Sequence, residues 1–320
     1  MKANGSLVIE THDLSKSFNG VNALKNLNLA VQQHSIFGFL GPNGAGKSTT
    51  IKLLLGLSKP TSGSGHILDY DIQHESLAIR KRVGYLAQDP RFYEHMTARE
   101  TLRFTARFFY TGPTSDIEKR IDETIKLVGL EDKADRPIKG FSGGERQRLG
   151  IGQAQINYPD LLILDEPAAA LDPQGRHDVL EVMERLRKHT TIFYSTHILS
   201  DVQRVSDTVA ILNHGKLISQ APIEELLNSN SRPIYTIGLR GDTESARQRL
   251  VSLPWVETIQ SRPVNNHISW EVTVSDEKIA DTQLLRQVLS SNEVDVLDYS
   301  HRKFDLEDIF LSLTEGDQNG

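Results

Sequence analysis

The 320-residue chain contains no cysteine. Disulfides, thiolate metal sites and cysteine nucleophiles are therefore excluded together. No apolar run reaches the ~18 residues that crossing a bilayer requires. The first six residues, Met1-Lys2-Ala3-Asn4-Gly5-Ser6, lack the apolar stretch of a secretory leader and lead straight into a strand pattern. These absences lead us to expect a chain that folds in the cytoplasm. Neither sign of charge dominates: 36 Lys and Arg stand against 42 Asp and Glu, for a net charge of −6. That balance argues against a surface built throughout to grip nucleic acid. Internal repeats and low-complexity tracts are also missing. What remains is ordinary globular composition, 38% hydrophobic and 24% charged, long enough for roughly two domains.

Against that plain background one stretch stands out. Residues 41–48, Gly41-Pro42-Asn43-Gly44-Ala45-Gly46-Lys47-Ser48, read G-x-x-x-x-G-K-S. A loop of this kind turns its backbone N–H groups inward around a phosphate chain. Glycines let the backbone bend tightly and approach the anion. Lys47 is placed to reach the β- and γ-phosphates, and the Ser48 hydroxyl to ligate Mg²⁺. Ile36-Phe37-Gly38-Phe39-Leu40 before it reads as a buried strand, and Thr49 to Leu57 after it as a helix. A strand–loop–helix setting aims a helix N-terminus at the phosphates.

The rest of the chain alternates strands and helices. Leu7–Thr11, Ala23–Val31, Gly63–Leu68 and Val83–Gln88 read as strands, as do Leu161–Asp165, Thr191–Ser195 and Thr208–Leu212. From Thr97 to about Gly129, Leu102, Phe104, Phe108, Phe109, Ile117, Ile121, Ile125 and Val128 recur at helical spacing, which predicts a helical insertion. Alternation of this kind predicts a mainly parallel sheet with helical crossovers. The polar run Asn228–Pro233 suits a linker. Beyond it the order is strand 234–240, helix 244–252, strands 256–262 and 267–274, helix 281–291 and strand 294–300. This is the βαββαβ order of a ferredoxin-like unit. A last amphipathic helix is expected at Leu306–Leu313. The expected architecture is thus an α/β, P-loop NTPase domain over 1–228, with a helical subdomain at about 90–158. A small α+β ferredoxin-like domain over 233–320 follows it.

Two further segments carry chemistry. Leu161-Leu162-Ile163-Leu164-Asp165-Glu166 is an apolar run ending in two carboxylates. Such a run fits a central strand buried on both faces, and open α/β sheets bind ligands at the C-terminal ends of their strands. Asp165 is a candidate for holding Mg²⁺ and Glu166 for polarising a water. In Phe141-Ser142-Gly143-Gly144-Glu145-Arg146-Gln147-Arg148, Ser142 and Glu145 have capping-box spacing. Gly143 and Gly144 leave the backbone N–H groups bare at a helix start, where anions are attracted. The chain therefore offers two phosphate-cradling helix starts and a single phosphate lysine.

With these segments the chain resembles the nucleotide-binding subunit of an ATP-binding cassette (ABC) transporter. Residues 41–49 (GPNGAGKST) match that family's Walker A loop, 161–166 (LLILDE) its Walker B strand, and 141–148 (FSGGERQR) its signature motif. The resemblance implies a head-to-tail dimer, with ATP sandwiched between Walker A of one subunit and Ser142-Gly143-Gly144 of the other. It assigns Asn43, Gly44, Ala45, Gly46, Lys47, Ser48 and Thr49 to the nucleotide. Phe18 is similar to the aromatic that stacks on adenine. Gln88 resembles the glutamine that contacts Mg²⁺ and the attacking water, and Asp172 the aspartate that crosses the dimer interface. His197 resembles the switch histidine at the γ-phosphate. The resemblance thus implies catalytic roles for Glu166, His197, Lys47 and Gln88, and Mg²⁺ contacts for Ser48, Gln88 and Asp165.

Departures are few. Phe141 and Glu145 stand where leucine and glutamine are usual, and Ala168-Ala169-Ala170 replaces Thr-Ser-Gly. The expected function is MgATP hydrolysis that powers transport, with export favoured, at the cytoplasmic face of the membrane. The expected partners are a second nucleotide-binding subunit, with a homodimer favoured by the complete set of motifs, and separate transmembrane permease subunits; no nucleic acid is expected. The alternative is an ABC ATPase acting in regulation or self-immunity at the membrane without moving a substrate.

Overall fold

The computed structural model describes residues 6–229, 233–264, 267–290, 294–302, 306, 307, 309 and 310. In chain order the first elements are β1 (Leu7–Phe18), β2 (Val21–Leu27), β3 (Ala30–Gln32), β4 (Ile36–Leu40) and α1 (Lys47–Leu54). They are followed by β5 (Ser62–Ile67), β6 (Tyr70–Asp71), α2 (Ser76–Arg82), β7 (Val83–Leu86), α3 (Ala98–Ala106) and α4 (Thr114–Leu127). Next come α5 (Gly143–Gln155), β8 (Leu161–Asp165), α6 (Pro173–Leu186), β9 (Thr191–Thr196), α7 (Leu199–Val205), β10 (Thr208–Asn213) and β11 (Lys216–Pro222). The last are α8 (Ile223–Ser229), β12 (Ile234–Gly241), α9 (Glu244–Val251), β13 (Val256–Val264), β14 (His267–Val274), α10 (Glu277–Leu289) and β15 (Val294–Arg302). The chain divides into two compact units, 1–223 and 224–320, so α8 falls almost wholly in the second. The break lies a few residues before the expected linker, of which residues 230–232 are outside the described residues.

The first unit holds two sheets. Strands β10, β4, β9, β8 and β7 run parallel in that order, and β11 adds an antiparallel edge to β10. Every residue of β4, β8 and β9 is buried. Strands covered on both faces are largely apolar, which is why β4 and the first four residues of β8 read as hydrophobic runs; the buried polar residues Thr191, Ser195 and Thr196 of β9 are hydrogen-bonded. Their C-terminal ends align: Leu40 is in register with Thr196, and Asp165 with Ser195. The register therefore brings the loop after β4, the acids ending β8 and the residue after β9 to one edge of the sheet.

The second sheet, β2-β1-β5-β6 with β3 also on β1, is antiparallel. The expected strand 23–31 is two strands, β2 and β3. Strand β1 runs well past Thr11, but its register with β2 shifts around Lys16, which breaks the alternation a strand shows in sequence. Helix α1 lies between the sheets: Ile51, Leu53 and Leu54 share one core with Val8, Ile9 and Leu14 of β1 and with Phe37, Phe39 and Phe193. Burial of each such side chain contributes roughly 2 kcal/mol.

The helical insertion is interrupted. Helix α3 ends at Ala106 and α4 begins after Gly112-Pro113. Phe108 and Phe109, in the break, are 72% and 47% exposed and Phe104, inside α3, is 44% exposed, whereas Leu102, Ile121, Ile125 and Val128 are buried. In the second unit the sheet order is β13-β14-β12-β15, all antiparallel, with α9 and α10 supplying Ala246, Leu250, Ala280, Leu284 and Val288 to a core with Tyr235, Ile237 and Trp270. The βαββαβ order is as expected. Helix α10 begins four residues early, because the Asp276 side chain accepts from Ile279 N–H and caps it. Of the expected last helix, Leu306, Glu307, Ile309 and Phe310 are helical, and residues 311–313 lie outside the described residues.

Candidate functional site

The loop after β4 is shaped by its glycines. Gly46 has φ of 109°, and a Cβ there would meet the Ala23 carbonyl oxygen at 2.7 Å, so an L side chain is excluded twice over. Gly44 has φ of 83°, and a Cβ built on it has nothing within 4 Å. Open space therefore stands above the loop, as an enclosed phosphate chain requires. Asn43, Gly44, Gly46, Lys47, Ser48 and Thr49 line a cavity shared with Ala23, Gln88 and Glu166. Ala45 is buried behind the loop, where its carbonyl accepts from Gly215 N–H. Phe18 and residues 142–144 do not line this cavity.

Lys47 is buried and folds onto its own loop. Its Nζ donates to the carbonyls of Gly41 (2.6 Å) and Pro42 (3.2 Å) and pairs with Glu166 Oε1 at 3.1 Å. The other oxygen of Glu166 lies 2.9 Å from His197 Nδ1. Glu166 thus links the phosphate lysine to the histidine after β9. Its backbone is also unusual, with φ of 50°, and its N–H donates to the carbonyl and the hydroxyl of Ser195. A non-glycine residue held in that region turns its side chain away from the strand direction at a local energetic cost.

Asp165 is fixed from the neighbouring strand. Ser195 Oγ donates to its Oδ1 at 2.6 Å, and Ser48 Oγ lies 3.5 Å from the same oxygen. Ser48 and Asp165 therefore present two hard oxygen donors side by side at the end of the phosphate loop. That donor type suits Mg²⁺ arriving with a triphosphate. Ser195 is the residue that sequence reasoning left unassigned: it occurs in the Ser195-Thr196-His197 run, but its two acidic partners lie about 30 positions away, where no local pattern reveals them.

The 142–144 segment opens α5. Ser142 Oγ accepts from Glu145 N–H and Ser142 N–H donates to Glu145 Oε2, so the capping box read from spacing is formed. The second glycine has a further reason. A Cβ on Gly144 would meet Gly175 Cα at 2.9 Å, so α5 and α6 cross there backbone to backbone; on Gly143 it would meet only Leu171 Cδ2, at 3.2 Å. Gln147, one turn on, donates from Nε2 to the Gln88 carbonyl at 3.2 Å and so ties this helix to the loop after β7.

Asp172 is exposed and caps α6 by accepting from Gly175 N–H at 3.1 Å. One turn later Arg176 pairs with buried Asp201 of α7 at 2.5 Å and donates to Ser200 Oγ. Burial pushes the Asp201 carboxyl up, and Arg176 only partly offsets it. Phe18 is half exposed at the end of β1, with Lys16 Nζ 4.8 Å from its ring centre. The structure therefore gathers Lys47, Ser48, Gln88, Asp165, Glu166 and His197 into one site, and it places Phe18, Ser142, Gly143, Gly144 and Asp172 outside that site's lining.

Comparison with known proteins agrees with this arrangement. The family model described as "ABC transporter" matches residues 24–169. The bacitracin transport ATP-binding protein BcrA of Bacillus licheniformis is 34% identical over 315 residues, covering 97% of this chain and 98% of its own. The Nod factor export ATP-binding protein I of Ralstonia nicotianae is 31% identical over 308 residues, covering 96% and 94% respectively. Among solved structures, the dimeric post-hydrolysis state of an ATP-binding cassette bound to ADP and Pi superimposes with a TM-score of 0.61 at 25% identity, covering 67% of this chain and 98% of that one. No helix among the described residues is long and apolar enough to cross a membrane. A phosphate loop, a buried acid beside it and relatives matched along nearly their whole length place this chain among the ATP-binding proteins of ABC transporters, a family of ATPases.

Proposed function

We propose that two copies of this chain close head to tail around MgATP and that hydrolysis reopens them, driving export through separate transmembrane subunits at the cytoplasmic face of the membrane. The observation that carries the reading is the Lys47–Glu166–His197 chain of contacts. The γ-phosphate enters the open space above Gly44 and draws Lys47 Nζ off Glu166. Freed of its cation, the Glu166 carboxylate accepts a proton from a water as that water attacks phosphorus, and ADP leaves. His197, bonded to Glu166, steadies the γ-phosphate as charge moves. Lys47 offsets that charge, and Ser48, Asp165 and Gln88 would hold the Mg²⁺ that would add a second positive charge, so catalysis is positioning and electrostatics rather than covalent chemistry.

Ser142, Gly143 and Gly144 lie off this cavity, which fits a role on the ATP of a second copy. The solved dimer of a related cassette bound to ADP and Pi supports that assembly. Transport in the name of one relative supports coupling to transport, and export in that of another supports the direction. The test is ATP binding and phosphate release by the purified chain. Glu166→Gln retains ATP and lowers turnover at least about a hundredfold, as expected for loss of a general base, while Lys47→Ala loses ATP affinity itself. Turnover of Glu166→Gln equal to the unaltered protein removes Glu166 from the reaction.

A further inference from the structure

Glu145 stands in the first turn of α5, immediately after Gly144, and is buried. A carboxylate there suits the helix dipole, yet the same charge opposes any phosphate that approaches the start of the helix at Ser142-Gly143-Gly144. The structure cancels it. Lys133, in the helical turn 131–133, contacts Glu145 Oε1, while Oε2 accepts from Ser142 N–H at 2.9 Å. Burial alone raises the Glu145 carboxyl, but Lys133, the Ser142 N–H and Arg148 outweigh it and hold it below the usual carboxylate range.

The neighbouring cations are engaged elsewhere. Arg146 grips Glu94 with two bonds of 2.6 and 2.8 Å. Arg148 donates to the Gly129 carbonyl at 2.8 Å and pairs with Asp178 at 3.5 Å. Among the described residues, Lys133 is the one cation in contact with the Glu145 carboxylate.

We propose that Lys133 is a positioning residue for nucleotide docking: by neutralising Glu145 it lets the Ser142–Gly144 segment accept the terminal phosphate of an ATP held by a second copy of the chain. The inference rests on the head-to-tail reading above. Without Lys133, a buried anion faces an incoming triphosphate in a closing interface, where water screens charge poorly. The chain's own phosphate loop is elsewhere, so first binding of ATP does not depend on Lys133.

The test uses full-length protein carrying Glu166→Gln, titrated with MgATP while the dimer fraction is followed by analytical ultracentrifugation. Added Lys133→Gln raises the ATP concentration for half-maximal dimerisation about tenfold, the scale of a partly buried charge contact at a helix start. ATP binding at protein concentrations too low for dimers stays within about twofold. Adding Glu145→Gln to Lys133→Gln returns the midpoint to within about twofold of the parent, and Lys133→Arg stays near it throughout. A purely structural Lys133 would not be rescued by Glu145→Gln. Unchanged dimerisation in Lys133→Gln, or no recovery in the double variant, overturns the inference while leaving the dimer reading intact. Should Lys133→Gln fold poorly, the double variant and Lys133→Arg decide: parent-like dimerisation in both supports the inference, and its loss in either overturns it. A parent that stays monomeric at saturating ATP overturns both.

Discussion

At the residue scale, the site is held by short side-chain contacts that span long stretches of sequence. Lys47 and Glu166 are both nearly fully buried, and each is the other's opposite charge. Removing one member of a buried pair strands the other, which typically costs about 3 kcal/mol, whereas removing both costs much less. Lys47→Ala therefore lowers the stability of the nucleotide-free protein by about 3 kcal/mol, less whatever His197 recovers as the remaining partner of Glu166. Glu166→Gln in the same chain restores most of that loss. Urea unfolding of the two single variants and the double variant checks this; additive losses would mean that the pair is not coupled. The phosphate loop, Asp165-Glu166 and the residues 142–144 were legible because each is a contiguous run whose residue types have one shared chemical use. Ser195 and Lys133 were not, since their roles consist of contacts with Asp165 and Glu145 that only the folded chain makes.

At the scale of elements, the parallel strands and the antiparallel strands of the second unit were read closely, and the antiparallel sheet of the first unit poorly. Strands β4, β8 and β9 are buried on both faces, and β4, β8 and the Ile192–Tyr194 centre of β9 announce themselves as apolar runs. The separate antiparallel sheet was invisible as a sheet, because β1 bends through irregular register and β2 and β3 divide one expected strand. The helical insertion was legible in type but not in its break, which lies between Ala106 and Thr114 and leaves Phe108 and Phe109 on the surface. Helix α5 shows how one motif serves two ends: Ser142 and Glu145 close its cap, and Gly144 packs on Gly175. Because a Cβ on Gly144 would strike backbone, Gly144→Ala forces α5 and α6 apart and costs about 1–3 kcal/mol. Gly143→Ala meets only a leucine side chain, which gives way, and costs less. Thermal melts of the two variants without nucleotide test this, and equal melting temperatures would contradict the crossing.

At the scale of the whole molecule, the first unit carries every group assigned to the nucleotide, and the second is a βαββαβ unit in which no chemical constellation was read. The family match at 24–169 lies wholly in the first unit, yet relatives with transport and export in their names align along nearly the full chain, so the second unit is shared with them. The central claim is that ATP joins two such molecules. The most direct measurement is the mass of Glu166→Gln in solution by light scattering, with and without saturating MgATP, together with the nucleotide retained per chain. A single chain is 35.8 kDa. The account predicts that ATP doubles the mass and that each chain of the doubled species retains one ATP. A mass that stays at 35.8 kDa while ATP is bound would contradict it.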